Sequence, residues 1–369
     1  MSQDWKTTRV SDICKTNPNT YSVSEKWSYV NYLDTGSITE NSVSEIQNLV
    51  IGRDTLPSRA RRKVVVDDIL YSTVRPNQRH YGIVKDVVPN MLVSTGFAVI
   101  RVDKAKADAD YLYYYLTQND IVDGLHAIGE QSVSAYPSIK PSDIESLELL
   151  LPSLPEQVEI GQTLKAFDDK IANNTKINHH LVQMAQAIFT ESCSEGETAV
   201  LSDILTVCYG KDHKRLGDGV IPCYGSGGIM RYVDKPLYTG ESVLIPRKGS
   251  LNNVMYVDEA FWTVDTMFYT QMTHPNVAKF AYFIMRAIDL AGMNVGSAVP
   301  SMTTTVLNSL EIVLPSDDTL ANFEENVTPM FLKMQANNEE SARLAELRDT
   351  LLPRLMSGEL SVSDLVDAK

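Results

Sequence analysis

Cysteine is scarce in this chain. Cys14, Cys193, Cys208 and Cys223 are scattered over 369 residues, and no two of them form a CxxC pair. That spacing argues against a zinc ribbon or a disulfide frame and points to reduced thiols in a cytoplasmic protein. No apolar run is long enough to span a bilayer, and the N-terminus does not read as a secretory leader, so a soluble intracellular chain is expected. Catalytic signatures are missing too. There is no Walker phosphate loop, no HExxH and no GxSxG. No Asn/Asp-Pro-Pro-Tyr/Phe string is present to hold a base for methylation; the nearest, Asn17-Pro18-Asn19-Thr20, differs at its third and fourth positions. His179 and His180 are adjacent in a helical stretch and diverge, so a metal pair is not expected. Catalysis by this chain alone, a bound metal and a cofactor of its own are all disfavoured. An excess of positive charge is also lacking: 33 basic residues face 47 acidic ones, a formal charge of -14.

The charge is unevenly spread. From Ser316 onward there are five Lys or Arg against eleven Asp or Glu, whereas Arg53 to Arg101 holds nine basic residues against four acidic. The basic run Arg59, Arg61, Arg62, Lys63, then Arg75, Asn77, Gln78, Arg79 and His80 reads as loops on either side of the strand Val64–Tyr71, ahead of the strand Phe97–Val102. Arg forks to guanine, Asn and Gln to adenine, and Lys meets phosphate, so this mixture is what base readout requires. A second set follows: Lys211, Lys214, Arg215, Arg231, Arg247 and Lys248. These are the candidate DNA-binding residues. The helix read at Asp110–Gln118 carries a Tyr ladder that could stack bases, although half of it suits a core better. Tyr224 to Gly228 (YGSGG) reads as a tight turn, and strands are expected at Ser242–Pro246 and Thr263–Thr270.

Ser153 to Glu191 reads as one long helix of roughly 55 Å. Ser153 and Glu156 fit a capping box and Pro155 a first turn. Its apolar seam, Ile160, Leu164, Phe167, Ile171, Asn174, Asn178, Leu181, Ala185 and Ile188, steps by fours and threes as in a coiled coil. Asp168, Asp169 and Lys170 are placed on its outer face. Adding 163 to each seam position yields a second seam: Phe323, Val327, Met330, Met334, Asn337, Ser341, Leu344, Arg348 and Leu351. Upstream the same shift aligns Ser134 to Pro152 with Ser297 to Pro315, with identities at Ser134/Ser297, Ala135/Ala298, Pro137/Pro300, Ser138/Ser301, Ser146/Ser309, Leu147/Leu310, Glu148/Glu311, Leu151/Leu314 and Pro152/Pro315. LSDI at Leu201 to Ile204 echoes VSDI at Val10 to Ile13. One unit, a globular region feeding a long helix, is used twice. Globular units at 1–152 and 193–315 thus alternate with helices at 153–192 and 316–369. Pro353 is expected to kink or end the second helix. The Asn174/Asn337 match predicts a polar register marker in the seam.

The PS…L-x-x-L-E…LP pattern, the P-x-E-Q-x-x-I entry to a helix ending AQAIF, and LLPRLMSGEL at Leu351 to Leu360 resemble the specificity subunits of type I restriction-modification systems. The resemblance covers nearly the whole chain. It implies an α+β protein: two target-recognition domains separated by two long helices packed as an antiparallel coiled coil, with an internal pseudo-two-fold repeat. It implies that each domain reads one half of a split double-stranded DNA target, with the helix pair as a stiff ruler. It further implies two methyltransferase subunits and restriction subunits as partners, which would carry S-adenosylmethionine, ATP and Mg2+. The acidic charge departs from what a DNA clamp needs, so weak, salt-sensitive DNA binding is expected of the isolated chain. Two alternatives stay open from residues alone. A stand-alone regulator of a bipartite operator would need its own basic clamp, and a nuclease or single-chain methyltransferase would need catalytic motifs.

Overall fold

The computed structural model describes residues 5–132, 136–293 and 301–367. Ser134, Ala135, Ser297, Ala298 and Pro300 of the repeat lie outside that set. The chain divides into two compact units, residues 1–173 with 340–369, and residues 174–339. Both boundaries fall inside the long helices, Leu154–Ser192 and Asp317–Met356, so each unit combines one globular region with part of each helix. None of the described helices is long and apolar enough to cross a membrane. All four cysteines are free thiols, and burial pushes the Cys14 thiol up to about 12.

In the first unit, Cys14–Thr16, Phe97–Val102, Ile69–Ser72 and Tyr81–Ile83 form an antiparallel sheet. A second sheet joins Gln47–Val50, Tyr29–Leu33, Met91–Ser94 and Ala60–Lys63. The expected strand Val64–Tyr71 is broken. Val65 and Val66 are exposed, Asp67 takes a left-handed φ of 71°, and regular pairing starts only at Ile69. The cause is Asp68, fully buried, which accepts from the Val65 amide at 2.8 Å and is gripped by the Arg101 fork at 2.8 and 2.7 Å. The helix Ala109–Thr117 starts on an Asp108 cap that accepts from the Tyr111 amide at 2.9 Å. Its Tyr111, Tyr113, Tyr114 and Tyr115 are all buried, so the ladder is core rather than a base-stacking platform. Tyr111 and Tyr115 donate to the carbonyls of Leu150 and Glu148, which removes the penalty of burying their hydroxyls. Ile160, Leu164, Leu352, Leu355 and Met356 close this core from the long helices. Gly161 is required there: a Cβ would meet Asp108 Oδ1 at 2.9 Å and the Tyr111 amide nitrogen at 3.0 Å.

The second unit carries one six-stranded sheet, in the order Leu205–Tyr209, Met267–Met272, Tyr238–Pro246, Met255–Thr263, Ile221–Gly225 and Gly228–Val233. Thr263–Thr270 is therefore two strand ends around a turn, where Met267 N–H closes on Val264 O at 3.0 Å. YGSGG is the hairpin turn between the last two strands, with Gly225 paired to Gly228 and Gly228 at φ 114°. Phe280 and Phe283 of the helix Ala278–Ala287 pack with Phe189 and Phe323 from the long helices, at centroid distances of 5.0 to 6.3 Å.

The duplication extends to hydrogen bonds. Lys6–Arg9 pairs with Glu148–Leu151, and Glu197–Val200 with Glu311–Leu314, in the same register. VSDI and LSDI each form a single helical turn at that strand's end. Val10 and Leu201 donate to Leu147 and Leu310, at 3.0 and 2.9 Å. Each turn is closed by its Asp, Asp12 or Asp203, accepting from the preceding backbone N–H.

The long helices run antiparallel within each unit. In the first, Arg348 meets Asp168 and Lys170 meets Glu340. In the second, Asn174 Nδ2 donates to Asn337 O at 3.3 Å and Asn337 Nδ2 to Asn178 Oδ1 at 2.8 Å. Asn174 and Asn337 are each 1% exposed. In the first unit's helix segments Leu164 is buried and Phe167, Ile171 and Leu344 are half-buried; in the second's, Ala185 and Val327 are buried and Leu181, Met330 and Met334 half-buried. Three details differ from expectation. Asp168 lies inward, half-buried, held by Arg348 and by the Tyr114 hydroxyl at 2.6 Å. Glu156 takes the Trp5 indole N–H at 3.2 Å rather than completing a capping box. The second helix runs through Pro353 to Met356, because Leu352, Leu355 and Met356 are anchored in the core and outweigh one lost backbone bond.

Candidate nucleic-acid interface

In the first unit the cations gather around the turn joining Met91–Ser94 to Phe97–Val102. Thr95 N–H donates to Arg59 O at 2.8 Å, and Thr73 N–H to Gly96 O at 2.8 Å. Arg61, Arg62 and Lys63 lie not on a loop but on the strand Ala60–Lys63, antiparallel to Leu92–Ser94. Tertiary pairing there overrides the polar composition. Arg61 Nη1 and Arg62 Nε are buried without a hydrogen-bond partner, and burial lowers the Arg62 pKa from its ordinary value. Lys63 is committed to Glu25 and lies over the Trp27 ring at 5.2 Å.

Pro76–Gln78 forms one 3-10 turn, flanked by Arg75 and Arg79 with left-handed φ of 48° and 55°. Arg79 is engaged on all sides: Asn119 Oδ1 at 2.7 Å, Tyr81 Oη at 3.3 Å and Glu40 at 3.4 Å. Arg75 instead lies over the Tyr136 ring at 4.7 Å. Asn77 and Gln78 are exposed, and His80 Nδ1 sits 2.7 Å from Ile38 O.

In the second unit Lys211, Arg247 and Lys248 meet at the turn between Met255–Thr263 and Met267–Met272. Arg247 N–H donates to Thr266 O at 2.8 Å, and Lys211 N–H to Thr263 O at 2.9 Å. Arg247 lies over the Tyr209 ring at 5.3 Å, with Nη1 reaching Asp265 O at 3.3 Å. Lys211, Lys214, Arg215 and Lys248 are exposed. Arg231 is tied to Leu216 O and Gly217 O and lies 3.5 Å from Asp218.

The type I restriction modification DNA specificity domain (Methylase_S) matches this chain twice, over residues 2–183 and 195–321. The chain belongs to that family. The type I restriction enzyme HindI specificity subunit of Haemophilus influenzae is 23% identical, over 97% of this chain and 100% of that protein. The MjaIX specificity subunit of Methanocaldococcus jannaschii is 23% identical, over 89% of this chain and 83% of that protein. The fold is that of the type I restriction-modification S subunit from M. genitalium, at a TM-score of 0.63 and 16% identity, covering 96% of both chains. As a type I specificity subunit the chain is non-catalytic.

Sorted by partner, the cations of this specificity subunit fall into two groups. Lys63, Arg79 and Arg231 are neutralised by Glu25, Glu40 and Asp218. Among the described residues, Arg59, Arg61, Arg62, Arg75, Lys211, Lys214, Arg215, Arg247 and Lys248 form no ion pair. Tyr136 and Tyr209 escaped the sequence reading. Each is 58% and 51% exposed and meets its arginine only through folding, so no local pattern marks it.

Proposed function

We propose that this specificity subunit recognises a bipartite double-stranded DNA target, one half-site per unit, and scaffolds two methyltransferase subunits and the restriction subunits of a type I enzyme. The observation that carries the reading is that cations without an ion pair among the described residues, Arg59 in the first unit and Lys211, Arg247 and Lys248 in the second, bond through their backbones at the same turn of each repeat. An uncompensated, partly desolvated guanidinium such as Arg62 is stabilised by a phosphate or a base edge. Arg59, Arg61, Arg62, Arg75 and Asn77 serve one half-site, and Lys211, Lys214, Arg215, Arg247 and Lys248 the other.

The scaffolding role rests on a second repetition. Met184 and Leu347, 54% and 51% exposed, stand 163 residues apart on the two long helices. Leu150 and Val313, 46% and 44% exposed, stand at the same shift on the two-stranded sheets. Two equivalent apolar positions suit two copies of one partner. S-adenosylmethionine, ATP and Mg2+ belong on those partners.

Mapping methylated adenines in cells with and without this chain tests the proposal. A split motif present only with the chain is expected. In vitro, the isolated chain should bind DNA weakly, with affinity falling steeply with salt, each phosphate-bound cation adding about -0.9 to the log–log slope. Nanomolar binding without partners at physiological salt would overturn the shared-clamp part of this reading.

A further inference from the structure

We infer that the loop after Ile69–Ser72, and its counterpart after Tyr238–Pro246, carry the base readers of the two units, with Arg75 and Arg247 as the specificity-determining side chains. The inference rests on the DNA-recognition reading and deepens it. The two loops are the same structure. Thr73 N–H donates to Gly96 O and Arg247 N–H to Thr266 O, both at 2.8 Å. Thr73 O accepts from Ile139 N–H at 2.8 Å, and Arg247 O from Met302 N–H at 2.9 Å. Thr73 and Arg247 therefore hold one position, and counting forward places Arg75 against Gly249.

Both of those residues are left-handed, Arg75 at φ 48° and Gly249 at φ 85°. Glycine adopts that conformation freely, whereas arginine is strained there. The second unit demonstrates that glycine is enough to build the loop. The first keeps an arginine where Gly249 shows that the loop closes without one, so Arg75 is not needed to build it.

The surroundings show what the side chain is placed to do. The Arg75 guanidinium has no ion pair among the described residues and stacks on Tyr136. The second unit moves its arginine two positions earlier, where it stacks on Tyr209 and uses one donor on Asp265 O. Stacking covers a face of the guanidinium plane and leaves donors at its edge. That edge forks to guanine O6 and N7 in the major groove. Arg79, four residues beyond Arg75, is an internal contrast: its donors are already engaged by Glu40, Tyr81 and Asn119.

The test uses the full chain assembled with its methyltransferase partner and a pool of random DNA duplexes. Arg75→Gly copies the second unit's residue, so its melting temperature should equal or exceed the parent's. Its selected target should lose about tenfold to a hundredfold discrimination at one base pair of one half-site. Arg247→Ala should do the same in the other half-site only, and Tyr136→Phe should retain selectivity where Tyr136→Ala loses it. A folded Arg75→Gly complex that selects the parent target undiminished would overturn the inference. So would uniformly weaker binding across all sequences, which is the signature of a phosphate contact. If the parent complex itself selects no sequence, the functional reading fails instead.

Discussion

Asn174 and Asn337 provide a sharp test of how the helix seam is specified. Both are 1% exposed, and they belong to a chain of polar contacts: Asn174 to Asn337 O, Asn337 to Asn178, and Asn178 to Asn338 Oδ1 at 2.8 Å. Asn337→Leu removes the donor that satisfies Asn178 and leaves Asn174 facing an apolar side chain. A lost hydrogen bond with a buried partner left behind costs about 1–3 kcal/mol. The new leucine recovers part of that through burial, so a net loss of about 1–2 kcal/mol is expected. In the double variant Asn174→Leu/Asn337→Leu the seam becomes apolar at both positions. Asn178 still lacks its donor there, so only the mismatch between Asn174 and the new leucine is relieved: the double variant should be more stable than Asn337→Leu alone, with a coupling of about 1 kcal/mol in the double-mutant cycle. The apparent urea midpoint, read by circular dichroism for all four proteins, measures this. The corollary concerns register. A seam with its asparagines removed no longer penalises a slipped pairing. Cysteines at Lys170 and Glu340, whose side-chain tips meet at 3.2 Å, should be bridged by a short bis-maleimide in the parent background and less so in the double variant. Four equal midpoints and unchanged cross-linking would refute the argument.

Two further perturbations test the attachment of each globular region to its own helices. Lys279, 5% exposed, bridges Glu241 at 2.6 Å and Glu324 at 2.5 Å, so Lys279→Met should cost about 3–5 kcal/mol at neutral pH by stranding two carboxylates. Burial works against ionised Glu241, but hydrogen bonds from Lys279 and Tyr256 outweigh it and hold its pKa below the ordinary 4.5. Its contribution is therefore present above that pH and lost as pH falls through the lower folded value, so the gap between variant and parent in a melting series should close in acid. Arg348→Met should cost about 1–3 kcal/mol by leaving half-buried Asp168 with only the Tyr114 hydroxyl. Adding Asp168→Asn should recover part of that loss in urea unfolding; additive losses would count against the pair.

Much of this architecture was legible in the chain. The seam was read from its four-and-three spacing because helix periodicity is a local property. The duplicated PS…LP segment and the VSDI echo were visible because equivalent backbone bonds demand similar residues at fixed offsets. The strand Phe97–Val102 was read at its exact residues from branching alone. The misreadings share one cause. Asp68 looked like a strand residue until Arg101 claimed it, Asp168 like an outer-face residue until Arg348 did, and the Tyr ladder like a platform until the core closed over it. Each depends on a partner remote in sequence. Arg61 and Arg62 looked like loop residues because edge-strand pairing leaves no trace in so polar a run.

The sequence alone therefore determined the repeat, the helices, their seam and the absence of catalytic motifs, all of which are set by residue type at short or constant spacing. Only the tertiary structure decided which cations remain unneutralised. Arg75 and Arg79 are four residues apart and chemically identical. One is consumed by Glu40 and Asn119 and the other is left stacked on Tyr136, because an ion pair or a stack is made by whatever folding brings within a few ångströms.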